Sequence, residues 1–292
     1  MTQEAPIPPA RRYPATEAFP TGPAVGAAFP AITLRDQYGE PIRLPEASDG
    51  RPALVVFHRS ARWCAFCRTQ LRHLQEHLPA FEAAGVALYA VSYDSVPTLA
   101  EFSGLEGIGY PLLSDEGSVL IRALGILNDL VLPEEDVYGI PYPGAYALDG
   151  AGRVTHKFFF RHYRDRIAPL AVLRETFGAD VDLSACPRVE ASAGGLRVRA
   201  VLGDTSLVPH QHTPCYVSIS PTRPATVRIT ADDVEAGTPY PSGDEIAVPL
   251  LLTSLERDRA TLHLEVTPEG GEAVTLDLTV PVPGLNRSSP AR

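Results

Sequence analysis

"PALVVFHRSARWCAFCRTQL", residues 52–71, decides the fold class of this chain. Ala53 to Phe57 is an unbroken apolar run containing two adjacent valines, as expected of a strand buried on both faces. Leu71, Leu74, Leu78 and Phe81 then recur at helical spacing as far as Gly85, a natural helix stop. Between strand and helix stand Cys64 and Cys67, in a chain with four cysteines, and Trp63, its one tryptophan. A cysteine at a helix start faces backbone N–H groups and the positive end of the helix dipole, both of which stabilise a thiolate. Arg59, Arg62 and Arg68 add to this if they face the sulfur. Cys67, one turn later, lies on the same side of the helix and near enough to close a disulfide. Cys64 is therefore the expected nucleophile and Cys67 the resolving cysteine. A zinc half-site uses the same spacing but needs two more ligands. Cys186 and Cys215 stand alone and the "HQH" at 210–212 belongs to a different stretch, so no metal is expected. The simplest alternative is a pair of inert packing cysteines.

Outward from this stretch, the chain keeps an α/β grammar to about residue 180. "AITLRDQYGEPIRL" reads as two short strands around a polar turn, and "VALYAVSYD" as a second buried strand. "SVPTLAEFSG" reads as a helix with Ser95 as N-cap and Pro97 in its first turn. "YPLLSD" is short and extended, "EGSVLIRALGI" helical, and "GAYALDGAGRVTHKFFF" a hairpin around an Asp-Gly turn. "IAPLAVLRETFG" closes the pattern with a helix. Strands alternating with helices predict a central mixed sheet with flanking helices. Past about residue 183 come six short runs, most of them alternating, with turns between them and no convincing helix. They predict an all-β sandwich. The expected layout is an extended arm or mobile tail over 1–24, an α/β domain over 25–180, a linker over 181–195, a sandwich over 196–284 and a tail over 285–292.

The net charge of −10 argues against nucleic acid, which needs a basic surface. No stretch approaches the ~20 apolar residues of a membrane helix. The first twenty residues carry early acids and prolines rather than a hydrophobic run, so the expected location is cytoplasmic. A reducing compartment in turn favours catalytic over structural cysteines. There is no Gly-rich phosphate loop and no His-Glu-x-x-His, and no cofactor is expected. His58, six residues before Cys64, is a candidate for proton transfer near neutral pH, or a partly exposed, hydrogen-bonded histidine with no role. Tyr93 and Asp94 end a central strand, the edge where α/β folds place their sites, and read equally well as loop formers.

"VVFHRSARWCAFCRTQL", "VSYDS", "YPLLSD" and "YGIPYPGAYALDGAGRV", in this order and spacing, resemble the redoxin branch of the alkyl hydroperoxide reductase/thiol-specific antioxidant (AhpC/TSA) family. The resemblance runs from about Val25 to Gly178 and implies a thioredoxin fold. The family's peroxidases carry Pro-x-x-x-Thr-x-x-Cys and a later Arg. Here Ala61 stands at the Thr position, Phe57 at the Pro position and Pro143 at the Arg position. In thioredoxin-like reductases a cis-proline occupies that last place and the residue before the first cysteine flanks the substrate groove. The resemblance therefore implies substrate-positioning roles for Pro143, as a cis-proline, and for Trp63. The leading expectation is a thiol-disulfide oxidoreductase. An atypical thiol peroxidase is the alternative, and a redox-sensing binding module the third reading. The expected partners are a disulfide or peroxide substrate and a thiol electron donor. The C-terminal part faintly resembles the immunoglobulin-like domain of membrane thiol-disulfide transporters, but with Cys215 alone in place of that domain's reactive pair.

Overall fold

A computed structural model describes residues 14–254 and 256–283. The expected C-terminal tail and the first thirteen residues of the arm lie outside these. The chain divides into two units between Asp165 and Arg166.

The first unit is built on a seven-stranded sheet. Its strands are β1 (Ile32–Arg35), β2 (Pro41–Leu44), β3 (Ala53–Phe57), β4 (Ala87–Ser92), β5 (Leu112–Ser114), β6 (Gly144–Leu148) and β7 (Val154–Phe159), in the order β2-β1-β5-β4-β3-β6-β7. β3, β4 and β5 run parallel and the other pairs antiparallel, so the sheet is mixed, as in the thioredoxin fold. The helices are α1 (Ala65–Glu76), α2 (Leu78–Ala83), α3 (Val96–Glu106) and α4 (Val119–Ala123). The one helix expected up to Gly85 is broken at His77, because Pro79 in the first turn of α2 has no N–H to continue the ladder. α3 starts at Ser95 and stops at Gly107, which takes φ +66° as helix C-caps require.

All five residues of β3 and all six of β4 are buried. Burying a large apolar side chain such as Leu54 or Phe57 stabilises the fold by about 1.5–3 kcal/mol. Tyr146 on β6 anchors an aromatic cluster, with ring centroids 5.8 Å from Phe57, 5.9 Å from Phe29 and 5.0 Å from Phe159. Its hydroxyl donates to Thr21 O at 2.8 Å, and Arg161 Nε donates to Pro14 O at 3.0 Å. The described part of the arm is thus tied along the first unit.

The second unit starts with β8 (Arg166–Ile167) and α5 (Pro169–Thr176), followed by nine strands. They are β9 (Arg188–Ala193), β10 (Leu196–Leu202), β11 (Gln211–Ser220), β12 (Ala225–Thr230), β13 (Val234–Ala236), β14 (Tyr240–Ser242), β15 (Glu245–Leu252), β16 (Arg259–Pro268) and β17 (Val274–Pro281). One sheet follows β13-β15-β11-β10-β9 and the other β12-β16-β17. Val198, Val217 and Leu250 from the first share one core with Ile229, Leu264 and Leu278 from the second, which makes an all-β sandwich.

Two boundaries differ from expectation. The break lies at 165/166 rather than near 180, because β8 pairs with β11 and α5 bonds to the sandwich. Tyr216 and Tyr240 donate to the Glu175 carboxylate at 2.8 and 2.9 Å, and Arg174 pairs with Glu245. The expected linker 181–195 contains β9, which pairs with β10 across the two-residue turn Gly194–Gly195. Both glycines have positive φ, +58° and +77°, as such a hairpin turn requires.

Candidate active site

The segment from His58 to Cys67 is shaped by its polar side chains. β3 ends at Phe57, and the His58 N–H still reaches Val91 O at 3.0 Å, which carries the strand alignment up to the loop. The buried Asp94 carboxylate then pins the loop. It accepts from Ser60 Oγ at 2.8 Å, from the Ala61 N–H at 2.7 Å and from Ser92 Oγ at 2.8 Å. Ser60 Oγ in turn accepts from the N–H groups of Arg62 and Trp63, at 3.0 and 3.4 Å, turning the chain into α1.

Cys64 is the N-cap residue of α1, and its sulfur accepts the Cys67 N–H at 3.4 Å. The two cysteines are not joined in a disulfide and both are buried, Cys64 2 % exposed and Cys67 0 %. Of the three arginines near the pair, the fold brings Arg59 to the sulfur, with Nη2 3.2 Å from Cys64 Sγ. Arg62 is exposed, and Arg68 pairs with Glu106 at 3.2 Å. Arg59 is itself buried, 5 % exposed. Its Cζ lies 4.1 Å from the Tyr163 ring centroid and 5.1 Å from that of Trp63, so the cation is sandwiched between aromatic faces. Burial works against this charge, but the attraction of Cys64 and Cys67 and the bond to Cys64 hold the guanidinium above its ordinary pKa. The same attraction, felt at the sulfur, favours a thiolate.

The predicted residues fall out differently. His58, Trp63, Cys64 and Cys67 share this segment, with His58 fully buried. The Trp63 indole N–H donates to Tyr93 O–H at 3.1 Å and the ring packs against Val131, Val137 and Ile140. Pro143 lies one residue beyond the Phe57–Gly144 pair, across the sheet from His58. It is not the expected cis-proline: among the described residues the cis bonds precede Pro45 and Pro221. The preceding Tyr142 is held at its N–H by Ile126 O at 2.8 Å and at its hydroxyl by Asp129 at 2.6 Å, and a trans X-Pro bond is the ordinary isomer. Ala61 offers no hydroxyl and Phe57 is core. Tyr163, a wall of the site, lies in "THKFFFRHYRDR", which by sequence reads as a basic, aromatic strand edge running into a charged turn; only the fold returns it to Arg59. Beside the loop an open groove of about 500 Å³ is lined by Ala61, Arg62, Arg68, Pro97, Phe102 and Leu105.

The sulfurs in the second unit have a different setting. Burial pushes the Cys186 thiol up to about 11 and the Cys215 thiol up to about 12.

The sequence profile of the AhpC/TSA family matches residues 25–157. Alkyl hydroperoxide reductase E of Mycobacterium tuberculosis is 33 % identical over 131 residues, 44 % of this chain and 80 % of that protein. Chloroplastic peroxiredoxin Q of Sedum lineare is 30 % identical over 125 residues, 42 % of this chain and 66 % of that protein. The crystal structure of peroxidoxin BcpB from M. tuberculosis aligns with 54 % of this chain and 98 % of that one, at 21 % identity and a TM-score of 0.45. With strand, cysteine pair and helix in place and alkyl hydroperoxide reductase E matched at 33 % identity over 80 % of its length, the chain belongs to the AhpC/TSA family of oxidoreductases.

Proposed function

We propose that the chain is a thiol peroxidase in which Cys64 reduces hydroperoxides and Cys67 resolves. The observation that carries this reading is the buried Arg59 guanidinium 3.2 Å from Cys64 Sγ. It supplies, from the loop itself, the cation missing at Pro143. Its Nε is buried with no hydrogen-bond partner among the described residues and is available to a peroxide oxygen. The peroxidase names of the relatives support the same reading.

The Cys64 thiolate attacks the nearer peroxide oxygen. An S–O bond forms, the O–O bond breaks, and the departing alkoxide or hydroxide takes a proton to leave as alcohol or water. Cys64 is then a sulfenic acid. The Cys67 thiolate attacks that sulfur, an S–S bond forms, and hydroxide leaves and is protonated to water. An external thiol donor restores both thiols by exchange. Arg59 stabilises the attacking thiolate and the charge developing on the leaving oxygen. Metal and prosthetic groups have no part in these steps. A reducing, cytoplasmic setting would supply the donor.

The helix-start Cys-x-x-Cys also suits thiol-disulfide exchange, so the test must separate the two. Trp63 adjoins Cys64 and is the chain's one tryptophan, so its fluorescence reports oxidation. In stopped flow, oxidation of the reduced protein by hydrogen peroxide or an organic hydroperoxide should outrun a free thiolate by orders of magnitude. Peroxide reacting only at the free-thiolate rate, with a peptide disulfide much faster, would overturn the peroxidase reading in favour of the oxidoreductase.

A further inference from the structure

We propose that Tyr163 is a positioning residue for the Cys64 reaction, holding the Arg59 guanidinium at the angle that presents Nη2 to the sulfur. The proposal rests on the role given to Arg59 above.

An arginine side chain has several rotatable bonds, and its N–H fork is useful only when its plane is fixed. Among the described residues Arg59 has no carboxylate in ion-pair contact to fix it. The carboxylate near the loop, Asp94, is bonded to Ser60, Ala61 and Ser92. Two rings do the fixing instead, and Tyr163 is the closer, at 4.1 Å against 5.1 Å for Trp63. Each ring is held from a different element. Tyr163 is 8 % exposed, meets the Phe66 edge at 5.8 Å and 87°, and stacks on His162 at 5.8 Å and 9°. Phe66 stands in the first turn of α1, one residue before Cys67, so the clamp and the cysteine pair are fixed to the same turn. Trp63 is tethered to Tyr93 at the end of β4.

The charged and titratable groups around Arg59 are Cys64, Cys67 and the Tyr163 phenol, each coupled to it electrostatically. His58 and Asp94 flank the loop, and Arg164 lies 5.9 Å from both the Phe66 and Tyr163 rings. Besides Arg59, substitution of Tyr163 directly touches only its own hydroxyl and Arg164 among these groups, and the Arg59→Met background below separates an effect through Arg59 from one through Arg164. Tyr163→Phe keeps the ring and removes the hydroxyl, while Tyr163→Leu removes the ring.

The experiment uses the full chain with Cys67→Ser, so that Cys64 is the responsive thiol, and follows alkylation by iodoacetamide against pH. Tyr163→Leu should raise the pH midpoint by about one unit and slow alkylation near neutral pH about tenfold, the size expected for displacing one opposite charge. Tyr163→Phe should restore the parent profile. In an Arg59→Met background, Tyr163→Leu should shift the midpoint no further, since both substitutions remove one interaction. Should Tyr163→Leu fail to fold, Tyr163→Met, similar in bulk and ringless, gives the same reading. A midpoint unmoved by loss of the ring, or moved equally with and without Arg59, would overturn the proposal. Neither outcome touches the peroxidase reading, which stands or falls on the peroxide rate of the protein with both cysteines.

Discussion

Arg59 carries a positive charge into an apolar pocket where its neighbours are a sulfur and two aromatic faces. A cation so placed is costly unless something nearby turns negative, and the Cys64 thiolate is the group that does. The interaction therefore strengthens when the nucleophile is in its reactive form. Replacing Arg59 by Met should lower the rate of peroxide oxidation by about 10²–10³-fold, the usual loss for one donor aimed at developing charge. Arg59→Lys should fall between the two, because an ammonium keeps the charge but neither stacks nor forks. Stopped-flow oxidation followed through Trp63 reads both variants, and a Met variant as fast as the parent would remove Arg59 from the chemistry. In the sequence, Arg59 was one of three arginines with equal claims. Burial and the turn set by Ser60 and Asp94 chose it over Arg62, which points to solvent, and Arg68, which Glu106 takes.

At the scale of elements, β6 pairs with both β3 and β7, and at Gly144 the packing leaves no room for a side chain. A Cβ there would stand 2.3 Å from Phe159 Cδ1 and 2.6 Å from Cγ, so the Phe159 ring packed on Tyr146 would have to leave. Gly144→Ala should destabilise the first unit by about 1–3 kcal/mol, as overpacking does. A thermal melt within a degree of the parent would show that the ring moves at no cost. The elements also show how far local pattern reaches. The β1–β2 turn was legible because Asp36 Oδ1 accepts the Tyr38 and Glu40 N–H groups, a bond pattern local to the turn. β9 was read as linker although Gly194–Gly195 is a hairpin signal, since Gly- and Ser-rich composition near a domain boundary reads as flexible chain until a partner strand is present.

Over the whole molecule, the four cysteines separate into two classes by environment. All four are buried, but Cys64 has a helix start and a guanidinium beside it, whereas burial pushes Cys186 and Cys215 up to about 11 and 12. At about pH 8 the second pair is almost wholly protonated, so brief iodoacetamide treatment and peptide mapping should find label on Cys64 and essentially none on Cys186 or Cys215. Rapid labelling of either would show that the second unit opens. The sign of the stability effect follows. Both folded thiols titrate above the ordinary value of 9.0, so their contribution is intact below about 9 and is lost as pH rises through about 11 and 12. Chemical denaturation of the parent should show stability falling above about pH 9, with the fall reduced in Cys186→Ser. An equal slope in both would assign the loss to other groups.

The sequence by itself determined the parts that depend on neighbours along the chain. These are the apolar β3, the helix start at Cys64, the start of α3 after Ser95, the hairpin before Phe159 and the change to alternating strands in the second half. Each rests on side-chain periodicity or on backbone preferences within a few residues. Tertiary structure alone decided which groups meet the sulfur. Tyr163 is 99 positions from Cys64 in sequence, and the sheet brings it onto Arg59. Asp94 comes from the end of β4, 30 positions away, to hold the loop. The trans bond before Pro143 was likewise outside sequence reach, since no residue type beside an X-Pro bond fixes its isomer. Contacts between residues far apart in sequence carry no local signature, and in this protein they decide which side chains surround the Arg59–Cys64 pair.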